Sequence, residues 1–564
     1  MIKLLPIAAA VALALNSGAA LANDASISQA GDSNTAMTTQ SGSGQTANTS
    51  QVGTNQTATT TQTDSNQTST INQVGDGADS TVTVTQSGLG PNSATVTQDH
   101  TYNTEATLTQ AGLNNGAVVN QLHVNDSIAT VTQTGNGNSA DVRQHGFGIH
   151  NPAGATVTQS GNANIANTNQ DTSTDAILTV AQTGNGNTAN IDQLNGSFNS
   201  GVNVTQTTNN ASATATQDGA DNSLITTLQN DGTDGTITAS QANGTNNTIS
   251  ATQTDGTSGT SITVSQDGNN NGITVYQEHV FSSTVNVTQV GGGNTGSVNQ
   301  EHVNDSTASV TATGNTNSTI IRQFGFGAHE PAEATITTTG DLNTVNINQD
   351  TSFRAIATVE QDGNNNVVDI DQVNESDNSI VTVKQLAANE AGNVTALQDA
   401  AADSSITVQQ SGVNGSLVVV NQTSGSELTA LVDQTGTLGG SATVNQSGVD
   451  QDVVVYQTGE ANTADVLQSN TLNTANVQQY GEFGSADIDQ TGADNDAFVN
   501  QLAGEFNNAI IDQQGDGNTA TINQDGFGTL AAVNSATITQ FGTNDTATIT
   551  QTGGFGNTAT IIQN

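Results

Sequence analysis

An all-β solenoid of stacked two-strand coils is the fold class that this sequence predicts, and three observations predict it. Glutamine recurs from Gln29 to Gln563, mostly at intervals of 11 to 13 residues. Between glutamines, inward and outward residue types alternate with period two, the signature of a strand with one buried face. The composition has little material for a conventional core: 564 residues with 3% aromatics, no Trp and no Cys. Only 10% of residues are charged, against about 25% in an ordinary soluble domain. Low hydrophobicity with a net charge of −45 would by itself read as disorder. The order of the residues overrules that reading.

The chain opens on an expected export signal, Met1 to Ala22. Lys3 supplies the positive end, and Leu4 to Leu15 is an apolar run broken by Pro6, too short to span a bilayer. Ala20-Leu21-Ala22 is a small-residue cleavage site, so the mature chain is expected to start at Asn23. No later apolar run reaches membrane length, so membrane insertion is not expected. The expected mature chain keeps four basic side chains, Arg143, Arg322, Arg354 and Lys384. Nucleic acid is therefore not expected as a partner, because phosphate binding needs basic patches. Without cysteine there is neither a disulfide nor a thiolate metal site.

The glutamine ruler comes next. About 46 positions follow it, with glutamine replaced at two, Ala312 and Thr338. Most intervals fit Q-x-G-x-x-N-x-A-x-x-x-Q. Clean examples are Gln133 to Gln144 (QTGNGNSADVRQ) and Gln182 to Gln193 (QTGNGNTANIDQ); the last interval is QTGGFGNTATIIQ, Gln551 to Gln563. Within an interval, Asn138, Ala140, Val142 and Gln144 take the inward face while Ser139, Asp141 and Arg143 point out. Asn187, Ala189, Ile191 and Gln193 repeat this, as do Asn557, Ala559, Ile561 and Gln563. The turns are rich in Gly, Asn and Asp, which tolerate positive φ; Gly135, Gly137, Gly184, Gly186 and Gly553 are the marked turn glycines.

A strand of about six residues cannot bury its inner face alone, but stacked copies can. Two intervals make one flat coil, giving roughly 23 coils and, at about 4.8 Å per coil, a rod on the order of 110 Å. Inward Gln121, Gln133, Gln144, Gln182 and their equivalents are expected to bond to the same residue in the coils above and below. A buried amide left unpaired costs about 1–3 kcal/mol, whereas a stacked ladder leaves unmet groups only at its ends. The glutamines thus fix register, since a slip of one residue would turn Thr inward. The first coils, with inward Thr38, Thr49 and Thr60 in place of Val or Ile, are expected to be the loosest and to serve export.

The repeat resembles that of curlins, the subunits of curli fibres. Ser127 to Gln144 (SIATVTQTGNGNSADVRQ) is similar to their S-x5-Q-x-G-x-x-N-x-A-x3-Q unit, and comparable units cover nearly the whole expected mature chain. The resemblance implies secretion through an outer-membrane pore, a nucleator as partner, and assembly with copies of itself into extracellular amyloid of a biofilm matrix. Two departures stand out. The chain is several times longer than the usual member, and Ala25, Ile27 and Gln29 already form a strand pattern where curlins resemble one another in a flexible targeting segment.

A larger repeat overlies the small one. Residues 98–193 recur at 277–372 with an offset of 179: HVNDS at His123 and at His302, RQHGFG at Arg143 and RQFGFG at Arg322. A partial third copy occupies 501–564, with QDGFG at Gln524. The offset holds 15 glutamine intervals, an odd number, so the GFG loops of copies one and two are expected on opposite edges. The rod is read as one lengthened by segmental duplication.

Catalytic signals are weak, and no enzyme is expected. The seven histidines fall within 100–329, and three pairs (His100/His279, His123/His302, His150/His329) share the 179 offset, so duplication of surface loops explains their clustering better than a metal site. The acids have neither EF-hand nor calcium-roll spacing, and no cofactor is expected. Phe147, Phe326 and Phe527 read as turn-covering contacts, and Arg143 and Arg322 as partners of neighbouring acids. Outward T-x-T pairs such as Thr95/Thr97, Thr107/Thr109, Thr156/Thr158, Thr537/Thr539 and Thr548/Thr550 resemble the ice-binding face of some solenoids, with rows interrupted at Asp141, Asp192 and Asp465. The leading expectation is a secreted fibre subunit whose last strand, Ala559 to Gln563, offers an uncapped end to another copy. The alternatives are a monomeric solenoid adhesin or ice binder and, behind both, a β-helix hydrolase.

Overall fold

Alternating inward and outward residues yield parallel strands that stack in register. The structure is a computed structural model that describes residues 12–14, 22–146, 153–325 and 331–564. The chain divides into two compact units, Met1–Phe281 and Ser282–Asn564. From Asp24–Asp32 to Gly272–Glu278 the first unit holds eleven coils of two strands each; the second holds twelve, from Thr284–Gly292 to Thr558–Gln563. Each unit is a β-solenoid, the turns numbering roughly 23 in all, and no α-helix occurs among the described residues. Of the expected leader, Ala12–Ala14 lies as a parallel strand beside Met37–Thr39; nearly all the rest falls outside the described residues.

Each unit is built of two parallel sheets, with successive strands alternating between them. Ile128–Asn136 therefore pairs with Glu105–Leu113 on one side and Ala153–Asn162 on the other, skipping the strands next to it in sequence. Register keeps like over like: Ala129 over Ala155, Val131 over Val157, Gln133 over Gln159. This is the stacking that one coil needs in order to bury its inner face.

The core between the sheets is thin. Ala129, Val131, Ala140 and Val142 are fully buried, and so are Ala189 and Ile191. The same pattern runs through both units, with larger Ile, Leu and Val where the sequence allows. In the first coils Thr38, Thr49 and Thr60 take the inward positions and are buried. The Thr38 hydroxyl finds no hydrogen-bond partner among the described residues, the consequence of a hydroxyl placed where other coils carry a methyl group.

Turns close each coil without a Cβ where backbones meet. Gly135 has φ 107°, and a Cβ there would lie 2.0 Å from the Gly161 carbonyl oxygen of the next coil. Gly184 repeats the arrangement against Thr208. Gly137, Gly186 and Gly553 also adopt positive φ. The GFG turns at Phe147 and Phe326, and with them His150, His329 and the expectation about opposite edges, lie outside the described residues. Phe527 is described and departs from expectation: it is 66% exposed. Its turn is closed by backbone bonds, Gly528 N–H to Glu505 O at 2.7 Å and the reciprocal Thr529–Ala532 pair, which leaves the ring nothing to cover.

Candidate functional site: the amide ladders between coils

The glutamines of the ruler meet in two columns, one behind each sheet. In the first unit one column runs Gln110, Gln133, Gln159, Gln182, with each Nε2 donating to the next Oε1 at 2.8 Å. The other runs Gln121, Gln144, Gln170, Gln193 at 2.8–2.9 Å. The second amide hydrogen is used as well: Gln133 Nε2 donates to the Gly116 carbonyl at 2.9 Å, and Gln144 Nε2 to Ile128 O at 3.2 Å. Both donors and the acceptor of a buried amide are thereby met, which removes the cost of burying it.

The ladders have a direction. Within each unit the donor of a Gln–Gln bond is the residue nearer the N-terminus, as from Gln29 to Gln51 in the first and from Gln540 to Gln563 in the second. Each coil thus offers amide N–H groups on its C-terminal side and amide oxygens on its N-terminal side. In the last coil described, Gln551 and Gln563 still donate to the backbone, to Ser535 O at 2.9 Å and Thr546 O at 3.1 Å, and both residues are less buried than their equivalents in interior coils.

A second ladder, of asparagines, lines the turns. Asn138 N–H donates to Asn115 Oδ1, and Asn164 N–H to Asn138 Oδ1, each at 3.0 Å. Asn138 Nδ2 donates to Gly161 O at 2.9 Å, and Asn187 extends the column through Asn164 at 3.0 Å. In the second unit, before the strands of the other sheet, Asn557 N–H donates in the same way to Asn534 Oδ1 at 3.0 Å. The sequence marks Asn138, Asn187 and Asn557 as inward but does not show that the side chain caps the backbone of the next coil. Where Gln takes the equivalent turn position of either sheet, at Gln45, Gln56, Gln67 and Gln451, its Oε1 has no partner among the described residues.

The glutamine column of the second unit is interrupted. Gln289, Ala312, Thr338 and Gln361 stack in successive coils of one sheet, so the two missing glutamines are neighbours in space. The Thr338 hydroxyl and Gln361 Oε1 are buried without partners among the described residues, while Gln361 Nε2 still donates to Gln385 at 2.8 Å.

Outward residues stack in the same way, and charge stacks with them. Asp465 lies over Asp487, and Asp489 over Asp512. Burial pushes the Asp487 carboxyl above its ordinary pKa, and the charges of Asp465, Asp489 and Asp512 push it further. Asp489 is raised by burial and then by Asp512. At Asp141 burial raises the carboxyl and Arg143 partly offsets it. Arg322, expected to offset acids, instead lies over the Phe324 ring, 5.6 Å from its centroid. The position equivalent to Asp141 is there Ile320, so the acid that Arg143 offsets has no counterpart two residues before Arg322, and the guanidinium faces a ring instead.

Described histidines stack on one another or pair with neighbouring acids. His100 stacks on His123 with centroids 5.1 Å apart, and His123 meets His145 edge-on at 6.1 Å, an arrangement of rings in a column. His145 Nδ1 pairs with Asp171 at 3.0 Å and His100 Nδ1 with Asp99 at 2.6 Å. Among the described residues no three His, Cys, Asp or Glu side chains form a group able to hold a metal ion.

Residues 473–502, 503–526 and 534–564 each match the family model of the curlin associated repeat. No curated protein matches the chain.

Proposed function

We propose that this curlin-repeat chain is a secreted structural subunit of extracellular curli-like fibres, assembling end to end with copies of itself in a biofilm matrix and serving adhesion. The direction of the glutamine ladders carries the reading. A coil that donates on one side and accepts on the other is complementary to another copy head to tail, and a head-to-tail contact that does not close grows as a filament. Register adds selectivity, because a docking coil must place Gln on Gln and Asn on backbone at once. The C-terminal match to the curlin associated repeat supports the same reading. A chain of net charge −45 resists association until it is screened or partly protonated, which restrains assembly before export. Export through an outer-membrane pore and growth from a nucleator belong to the same proposal.

The test is direct. Purified chain lacking residues 1–22, at micromolar concentration, is expected to form thioflavin-positive filaments whose growth is seeded by preformed ends. A chain that stays monomeric and thioflavin-negative across salt and pH would overturn the proposal.

A further inference from the structure

One sheet of the first unit differs from every other outward surface in a chain of net charge −45. Its eleven coil strands run from Thr35–Ser43 to Gly272–Glu278. Two outward columns cross its middle, from Met37 to Thr274 and from Thr39 to Tyr276, and neither contains a charged residue. In five successive coils both columns are threonine, from Thr59/Thr61 to Thr156/Thr158. Asp141 and Asp192, read from the sequence as interrupting such rows, lie on the opposite sheet with Thr95/Thr97. Alternate intervals go to alternate sheets, so acids that fall between threonine pairs in sequence do not fall between them in space.

Beside these columns runs a row of ridges and gaps: Ile128, Gly154, Ile177, Gly201, Leu224. Ile128 is 51% and Ile177 61% exposed. Between them, above Gly154, lies a recess of about 410 Å³ with Asp126 and Asp175 also lining it. Nothing stands within 4 Å of where a Gly154 Cβ would be.

From these features we infer that this face packs against the same face of a second copy. The interface is self-complementary about a twofold axis that runs along the strands between Gly154 and Ile177. That axis sets Ile177 of one copy over the Gly154 recess of the other, and Ile128 over the Gly201 gap, as an isologous contact requires. Flat threonine columns then meet as a dry sheet-on-sheet contact. Charge selects this face, because like-charged chains approach most closely where their middle columns carry no charge; Glu105 and Glu278 stand only in the flanking columns. Its extent suffices: ten coil spacings of about 4.8 Å by strands of about 23 Å give roughly 1,100 Å² per copy, against about 800 Å² per partner in stable complexes. The contact is lateral and independent of head-to-tail growth.

The experiment uses the soluble chain and its filaments side by side. Sedimentation is expected to show a dimer strengthened by salt, because screening weakens the repulsion of the remaining acids, and filaments are expected to pair along their length. Gly154→Val fills the recess at a position with no left-handed φ and open space around it. Thr132→Lys puts charge into the middle of the face. Each is expected to weaken dimerisation about tenfold or more and to give single filaments, with the thioflavin growth rate unchanged. Asn190→Lys on the opposite sheet is expected to leave pairing intact. A wild-type chain that neither dimerises nor pairs, or a Gly154→Val chain that pairs as wild type does, overturns the inference. Thermal hysteresis that Thr132→Lys abolishes would assign the face to an ice lattice and overturn it too. Loss of filament growth with the dimer intact would sink the end-to-end proposal and leave the lateral contact standing.

Discussion

Residues 98–193 and 277–372 share most of their sequence at a constant offset of 179, yet they treat the same buried column differently. In the first segment Gln110, Gln133, Gln159 and Gln182 form an unbroken ladder at 2.8 Å per rung. In the second, the equivalents of Gln133 and Gln159 are Ala312 and Thr338, and Gln361 Oε1 and the Thr338 hydroxyl are left without partners among the described residues. The backbone register is the same in both. Register therefore does not need every rung; Ala/Val/Ile stacking and the asparagine column hold it across the gap. The gaps are also adjacent. Two separated gaps would each interrupt the ladder above and below, whereas two neighbouring ones share a boundary and leave fewer amides unmet.

Moving the interruption into the intact segment is expected to give the largest effect. Gln133→Ala with Gln159→Thr removes three rungs and leaves Gln182 Oε1 and the Gly116 and Ser139 carbonyls short of donors. Each buried group left unmet costs about 1–3 kcal/mol. Hydrogen exchange on the full soluble chain should report this as faster exchange in peptides covering 128–162, by at least about tenfold, since about 1.4 kcal/mol is a factor of ten. Exchange unchanged within twofold would mean that the ladder contributes nothing to local stability.

Repairing the second segment is the smaller, converse test. Ala312→Gln with Thr338→Gln restores donors and acceptors from Gln289 to Gln361. Filled rungs contribute about 0.5–1.5 kcal/mol each net, so peptides covering 307–339 should exchange more slowly. Faster exchange would show that the second segment has repacked around the smaller side chains and has no room for amides.

The contrast also shows how far the sequence can be read. The glutamine period, the inward Ala/Val/Ile and the two-strand coil are visible because each repeats within one interval. Ala140, Val142, Ala189 and Ile191 are all buried. What escapes is any relation that skips an interval. Ala312 and Thr338 read as two separate lapses, because one coil separates them by 26 positions and the intervening Gln323 belongs to the other sheet. The threonine rows are misread for the same reason, and sorting intervals into odd and even would have found both. The asparagine caps are harder: their inward position is legible, but the bond from Oδ1 to a backbone N–H in the next coil depends on turn geometry that the letters do not carry. The Phe527 ring and the Arg322 stack depend on local neighbours in the same way.

The smallest effect concerns charge. Asn190 beside Asp192 in the first segment corresponds to Asp369 beside Asp371 in the second. Burial pushes the Asp369 carboxyl above its ordinary pKa, and Asp371 pushes it further. A carboxyl with a raised folded-state pKa binds its proton more tightly in the coil than in the unfolded chain. Its contribution to stability therefore grows as pH falls through the carboxylate range and is lost as pH rises through the folded pKa. Asp369→Asn removes that dependence and matches the first segment. At neutral pH it is expected to stabilise the peptide 367–373 by less than about 0.5 kcal/mol, the scale of a surface change. The gain should fade on acidification, read as a ratio of exchange between variant and wild type that returns towards one. A ratio that stays constant with pH would mean that the two neighbouring carboxylates are already relaxed by solvent. Stacked acids would then impose no pH-dependent cost on this coil, and the restraint on assembly would have to come from net charge alone.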